Sequence, residues 1–295
     1  MIQIVFTSPA DILPDEAKKL NAIVLPVDVI FGTDVYKDGV DLNKAEFFAK
    51  MEEFVDRTGK LPHTSQINTE EHIETFKPLL DQGDEIFYVS MSSGTSLTIE
   101  RARDAVKELN AEDRITIFDS ETITVPYGMI VKEIIKARDK GMTRAEILEV
   151  AKDVTDRIEL LCVVNEITYL KKGGRLKGAQ AVVATALSIK PLITIRDTKV
   201  DSFGKAIGFA GACKKMAKMY SEYEVDKDMP IYTAHSNAPE LMDKLIKQIK
   251  AVTPGFNPVD GGGIGCAVGT HIGPGCCGVA FFRKKGSKSL LKNKS

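Results

Sequence analysis

Through the first 157 residues, short apolar runs take turns with segments of helical character. That alternation limits the fold more than any other feature of the chain. Residues 2–6, 23–31, 85–90 (Glu-Ile-Phe-Tyr-Val-Ser) and 115–119 read as strands. Residues 14–20, 98–109 and 128–138 read as helices. Asn43-x-x-Glu46, Asn68-x-x-Glu71 and Thr143-x-x-Glu146 are capping-box patterns, each placed to open a further helix, and Gly59 ends the first of them. Strands that alternate with helices imply a parallel sheet covered on both faces, an α/β architecture.

The second half is less regular. Residues 159–164, 191–195, 231–234 and 278–282 are strand-like, and 209–223 and 239–252 are helical, the latter with Pro239 in its first turn. Residues 178–189 are rich in Ala and Val and are expected to pack as a buried helix. A length of 295 residues favours two domains. The alternation stops near residue 157, so the expected division is 1–157 and 158–282. Residues 283–295 carry six Lys or Arg and no acid, and are expected to form a solvated, disordered tail.

Composition excludes several functions. Forty basic residues balance 41 acidic ones, for a net charge of −1, so the body of the chain lacks the electrostatic footprint of a nucleic-acid binder. No apolar run approaches the roughly 18 residues that span a bilayer, so stable membrane insertion is not expected. The start, Met1-Ile-Gln-Ile-Val-Phe, has no basic region ahead of its apolar stretch, which argues against a signal peptide and for the cytoplasm. Five cysteines, an odd number, fit free thiols in a reducing compartment. Four dispersed histidines give no metal-ligand spacing. No phosphate-binding Gly-x4-Gly-Lys and no Gly-x-Ser-x-Gly elbow occurs, and no cofactor is expected.

Four polar segments sit where strands should end, the place where open α/β sheets bind ligands. They are Pro62-His-Thr-Ser-Gln66, the hydroxyl-rich Ser90-Met-Ser-Ser-Gly-Thr-Ser96, the basic turn Leu170-Lys-Lys-Gly-Gly-Arg175, and the glycine-dense run from Gly261 to Gly278. Hydroxyls and backbone N–H groups at a helix start suit an anion; the plainer reading is that they only cap the helix. Arg175 suits an anion or a partner; the plainer reading is a solvated turn. His271 lies among glycines, which makes it a better functional candidate than His72.

In this order and spacing the segments resemble the DegV family. The matching residues are Thr7-Ser8, Tyr36-Lys-Asp-Gly39, Thr64-Ser65-Gln66, Ser92-Ser93-Gly94-Thr95-Ser96, Leu170 to Arg175, Ile189-Lys190-Pro191 and His271-Ile-Gly-Pro-Gly275, covering roughly residues 2 to 282. The resemblance implies a two-domain fold with an amino-terminal parallel sheet and a carboxy-terminal mixed α/β domain. It also implies a long-chain fatty acid held between the domains. By motif position the carboxylate falls to Thr64, Ser93 and His271, with Ser65, Ser92, Gly94 and Gly273 beside them. Some members present the fatty acid to a separate kinase subunit, which would make Arg175 and Lys172 partner contacts. The sequence departs from the family pattern at Phe6-Thr-Ser-Pro9, which lacks the usual Asp, at Ser96-Leu-Thr-Ile-Glu100, and at Ile207, where an arginine is missing.

A different class of function stays open on residue types alone: an acyl hydrolase or transferase with Ser93 as nucleophile and His271 as base. A docking module using the basic turn and tail is a third reading.

Overall fold

The alternation of the first half closes into one parallel sheet. The computed structural model describes residues 1–175 and 188–291. In it β1 (Ile2–Thr7) lies between β2 (Ala22–Leu25) and β6 (Glu85–Ser90), and β7 (Ile115–Asp119) follows β6, all parallel. Successive side chains on a strand point to opposite faces. Ile4 and Phe6 therefore enter one core with Phe87 and Val89, while Val5 enters another with Ile86 and Tyr88. The second core is covered by α3 (Thr69–Asp81) and α4 (Thr98–Glu108), through Phe76, Ala102 and Val106.

The expected strand over 23–31 is two strands. Pro26 has no N–H to give a ladder. After it, β3 (Asp28–Phe31) leaves for a separate antiparallel sheet with β4 (Asp34–Lys37) and β5 (His63–Thr64). The caps form as the spacing predicts. Asn43 accepts from the N–H groups of Ala45 and Glu46 at the start of α2 (Lys44–Thr58), and complete capping boxes open α3 and α6 (Arg144–Arg157).

From Ile158 the chain builds a six-stranded mixed sheet. Its order is β10 (Lys199–Ile207), β9 (Ile189–Arg196), β8 (Ile158–Val163), β13 (Cys277–Phe282), β11 (Tyr232–His235), β12 (Val259–Gly263). Leu161 and Val163 face α8 (Gly208–Ser221) and α9 (Pro239–Val252) in one core. Leu160 and Cys162 face the other way, into the core that also holds Ile4 and Phe6. Between the two sheets runs α5 (Thr124–Asp139). Eleven of its 16 residues are buried, as a helix packed on both sides requires. Among the described residues no helix is long and apolar enough to cross a membrane.

The sequence reading named no element at β4, β5 or β10, nor, in the glycine-dense run, at β12 and the short helix α10 (Cys266–Ile272). Gly269 explains α10. A Cβ there would meet the Phe47 ring at 2.7 Å, so only glycine lets α10 lie against α2. The buried helix expected over 178–189 falls outside the described residues up to 187; Ile189 opens β9.

The expectation of a disordered tail over 283–295 is corrected for 283–291; residues 292–295 lie outside the described residues. The Arg283 side chain is only 3% exposed and its Nε donates to Glu159 at 2.7 Å. Ser289 and Leu291 are buried, and Arg196 Nη1 donates to the Leu291 carbonyl at 2.6 Å. Counting charges cannot see a buried acid on β8 that draws the chain in. Removing one partner of such a pair strands the other in the interior, so Arg283→Ala should lower the unfolding free energy by about 3–5 kcal/mol. Urea denaturation should show this, and the double change Glu159→Gln/Arg283→Met should recover most of the loss.

Candidate functional site

A cavity of about 640 Å³ lies between the carboxyl end of the parallel sheet and the inner face of β8, β9 and β10. Its size is that of a small-molecule site. One wall is apolar: Leu160, Cys162, Ile193, Ile195 and Val200 from the second sheet, with Val268 and Ile272 of α10. The polar residues come mainly from the ends of β5 and β6 and from the basic turn.

Thr64 closes β5, and its Oγ1 lies 2.9 Å from His271 Nε2 in the last turn of α10. Burial is the main force that lowers the His271 pKa to about 4, helped by the nearby positive charges of Arg175 and His63. The imidazole is therefore neutral at neutral pH. The basic turn after α7 (Thr168–Lys172) packs on this ring: a Cβ on Gly173 would lie 3.0 Å from His271 Nδ1. Arg175 lines the cavity and folds back through Nη1 onto the Gly173 carbonyl at 2.7 Å.

The hydroxyl-rich segment divides its labour. Thr95 and Ser96 bond locally, to the Ser92 carbonyl and to Thr98, as capping groups do. Ser92 is fully buried and its hydroxyl donates to the Thr198 carbonyl at 2.6 Å. Ser93 turns its N–H toward the Asp119 carboxylate at 3.3 Å, and its hydroxyl takes no hydrogen bond among the described residues. Gly94 is required by closeness, since a Cβ would stand 2.3 Å from the Thr198 carbonyl. Ser65 spends its hydroxyl on Asp28 Oδ2 at 3.1 Å.

The structure thus brings Thr64, Ser65, Ser93, Gly94, His271 and Arg175 to one cavity. Ser92, Gly273 and Lys172 stand outside its wall: Ser92 joins the two halves, Gly273 turns the chain beneath the Tyr169 ring, and Lys172 is exposed. Sequence reasoning missed the groups that hold the site. Asp119 at the end of β7 was visible by position. Asp38 stood in the matching Tyr36-Lys-Asp-Gly39 segment with no role assigned to it, and Asp11 carried no signal. Asp11 accepts from the Gly265 N–H at 2.8 Å and Asp38 from the Cys266 N–H at 3.0 Å, so both fasten the start of α10. Burial lifts the Asp11 carboxyl to about 6 against the pull of Lys44 and of the Thr124 hydroxyl. Among the described residues no cluster of His, Cys, Asp or Glu could hold a metal.

The family profile described as "Uncharacterised protein, DegV family" matches residues 1–284. The chain belongs to the DegV family. A DegV domain-containing protein of Halalkalibacterium halodurans is 30% identical over 288 residues, 96% of this chain and 99% of that one. Among solved structures, the chain is similar to a DegV family protein from Thermus thermophilus described for its fatty acid binding (TM-score 0.84, 23% identity, 96% and 99% of the two chains). It is also similar to a stearic acid-binding protein from Eubacterium ventriosum (TM-score 0.83, 23% identity, 96% and 99%). At these identities the likeness establishes the DegV fold.

The pKa of His271 has a consequence for stability. The folded chain binds this proton near pH 4, the unfolded chain near 6.5. Between those values the unfolded state holds more protons, so the stability present above about 6.5 declines as pH falls toward 4. The imidazole resonances should stay flat from pH 8 to 5.5, and a midpoint above 6 would contradict the burial. In denaturant titrations the wild type should lose ground to His271→Gln as pH is lowered.

Proposed function

We propose that this DegV protein binds a long-chain fatty acid in the cavity between its two sheets, as a non-catalytic carrier in the cytoplasm. The observation that carries the reading is the cavity's polarity: an apolar wall from β8 to β10 facing a small pole at Thr64, Ser93 and His271. Structural relatives named for fatty-acid binding support it. A carboxylate needs a few fixed donors. Ser93 has an uncommitted hydroxyl, and Thr64 can pass on a hydrogen bond it receives from the neutral His271 ring. In this reading the ring proton sits on Nε2. Each buried methylene adds about 0.8 kcal/mol.

The acyl-transfer reading gains no support. His271 Nε2 is engaged with Thr64, and a ring of pKa about 4 is a poor general base at neutral pH. The finer reading is that the carrier presents the carboxylate to a separate kinase subunit. Arg175, at the cavity wall, would meet the transferring phosphate, and the exposed Lys171 and Lys172 would meet an acidic partner surface. Ile207, 81% exposed at the end of β10, stands where the family pattern has an arginine, so this face lacks one cation.

Titration with a fluorescent fatty acid tests the carrier reading. Ser93→Ala should weaken binding by about 1.5–3 kcal/mol, the worth of a hydrogen bond to a charged group. A methyl ester should bind worse than the free acid; equal binding would remove the headgroup pole. For the presentation step, Lys171→Glu/Lys172→Glu lies outside the cavity wall and should leave fatty-acid affinity unchanged. It should reduce acyl-phosphate formation when a kinase subunit and ATP are added. Undiminished turnover would remove the basic turn from the partner surface.

A further inference from the structure

Leu160, Thr194 and Ile195 line the large cavity on one side and a much smaller hollow, about 40 Å³, on the other. The hollow's remaining walls are mostly polar. They include Ser120 and Thr122 from the loop after β7, Thr155 from α6, and Ser289 of the carboxy-terminal segment. Thr155 is only 9% exposed, and its Oγ1 finds no hydrogen-bond partner among the described residues. A helical threonine ordinarily satisfies its hydroxyl on the carbonyl four residues back. An orphaned buried hydroxyl forfeits the bonds it would make in water, so its persistence points to an occupant that supplies them. Beside it, Ser120 gives its proton to the Thr122 carbonyl at 3.1 Å and accepts from the Thr122 N–H at 3.5 Å, which leaves its oxygen one further lone pair.

The volume sets the occupant's size. A hollow of about 40 Å³ has room for a water or a hydroxyl group. Two sources share that chemistry: solvent, and a hydroxyl borne on a chain lying in the adjoining cavity. The second fits the position of the hollow, which meets the acyl cavity at Leu160, Thr194 and Ile195.

We propose that the hollow is a hydroxyl subsite of the acyl cavity, through which the protein prefers fatty acids carrying a hydroxyl at one position along the chain. The proposal rests on the fatty-acid reading above and names the substrate class within it. Thr155 is the residue that distinguishes the hydroxylated chain. Without such a partner, a hydroxyl buried among Leu160, Ile193 and Ile195 would weaken binding relative to the plain chain.

Displacement of a fluorescent fatty acid by octadecanoic acid and by a positional series of monohydroxyoctadecanoic acids tests this on the full chain. In the wild type, one position in the series should bind about five- to tenfold tighter than its neighbours. Thr155→Val, which keeps the shape and removes the hydroxyl, should abolish that preference and leave octadecanoic acid unaffected. Thr155→Ser should retain it. If every hydroxy acid binds more weakly than octadecanoic acid, or if Thr155→Val keeps the preference, the hollow holds solvent only and the proposal falls. The wild-type series decides by itself should Thr155→Val fail to fold. If octadecanoic acid does not bind the wild type at all, the fatty-acid reading fails first and takes the subsite with it.

Discussion

Two buried carboxylates hold the site together. Asp11 and Asp38 take the first free N–H groups of α10, Gly265 and Cys266, where an anion also meets the positive end of the helix. Both come from the first half of the chain, and α10 comes from the end of the second. The bonds therefore tie the halves together at one end of the helix whose other end carries His271. Burial raises both carboxyls, and the hydrogen bonds they accept offset part of that cost. Ser8 on Asp38 and Thr124 on Asp11 complete the cradle.

A second tie lies across the cavity. The turn between β9 and β10 puts Asp197 and Thr198 at positive φ, which brings the Thr198 carbonyl against Gly94 and onto the Ser92 hydroxyl. Such turns follow the twist of the paired strands. The cavity is thus clamped at two places by polar bonds between the halves, and its interior is left to apolar side chains. For a bound acyl chain this is a sensible division. On the proposed reading, a dozen buried methylenes would be worth roughly 10 kcal/mol, against association costs of roughly 4–15 kcal/mol, so the acyl chain would supply affinity and the few polar groups orientation.

The fold was largely legible because its signals are local. The apolar runs of β1, β6 and β7 and the caps at Asn68 and Thr143 act within a few residues, and each formed where its pattern placed it. Pro26 was legible in principle: a residue without an N–H divides a ladder, and the run across it became two strands in two sheets. The tail was misread because Arg283 looks like a solvated cation until Glu159, 124 residues away, is placed beside it.

What the sequence determined by itself was which residue types stand at strand ends: Thr64, the Ser92–Ser93 pair, the double-glycine turn and His271. Tertiary structure alone decided what each of them does. Neighbouring serines 92 and 93 are indistinguishable as letters, yet one hydroxyl is spent on Thr198 and the other faces the cavity wall unspent. His271 is neutral because burial, Arg175 and His63 act on it together, and none of these is near it in the chain. Short-range backbone preferences are written along the sequence, whereas the environment of a side chain is set by whichever distant segments pack around it.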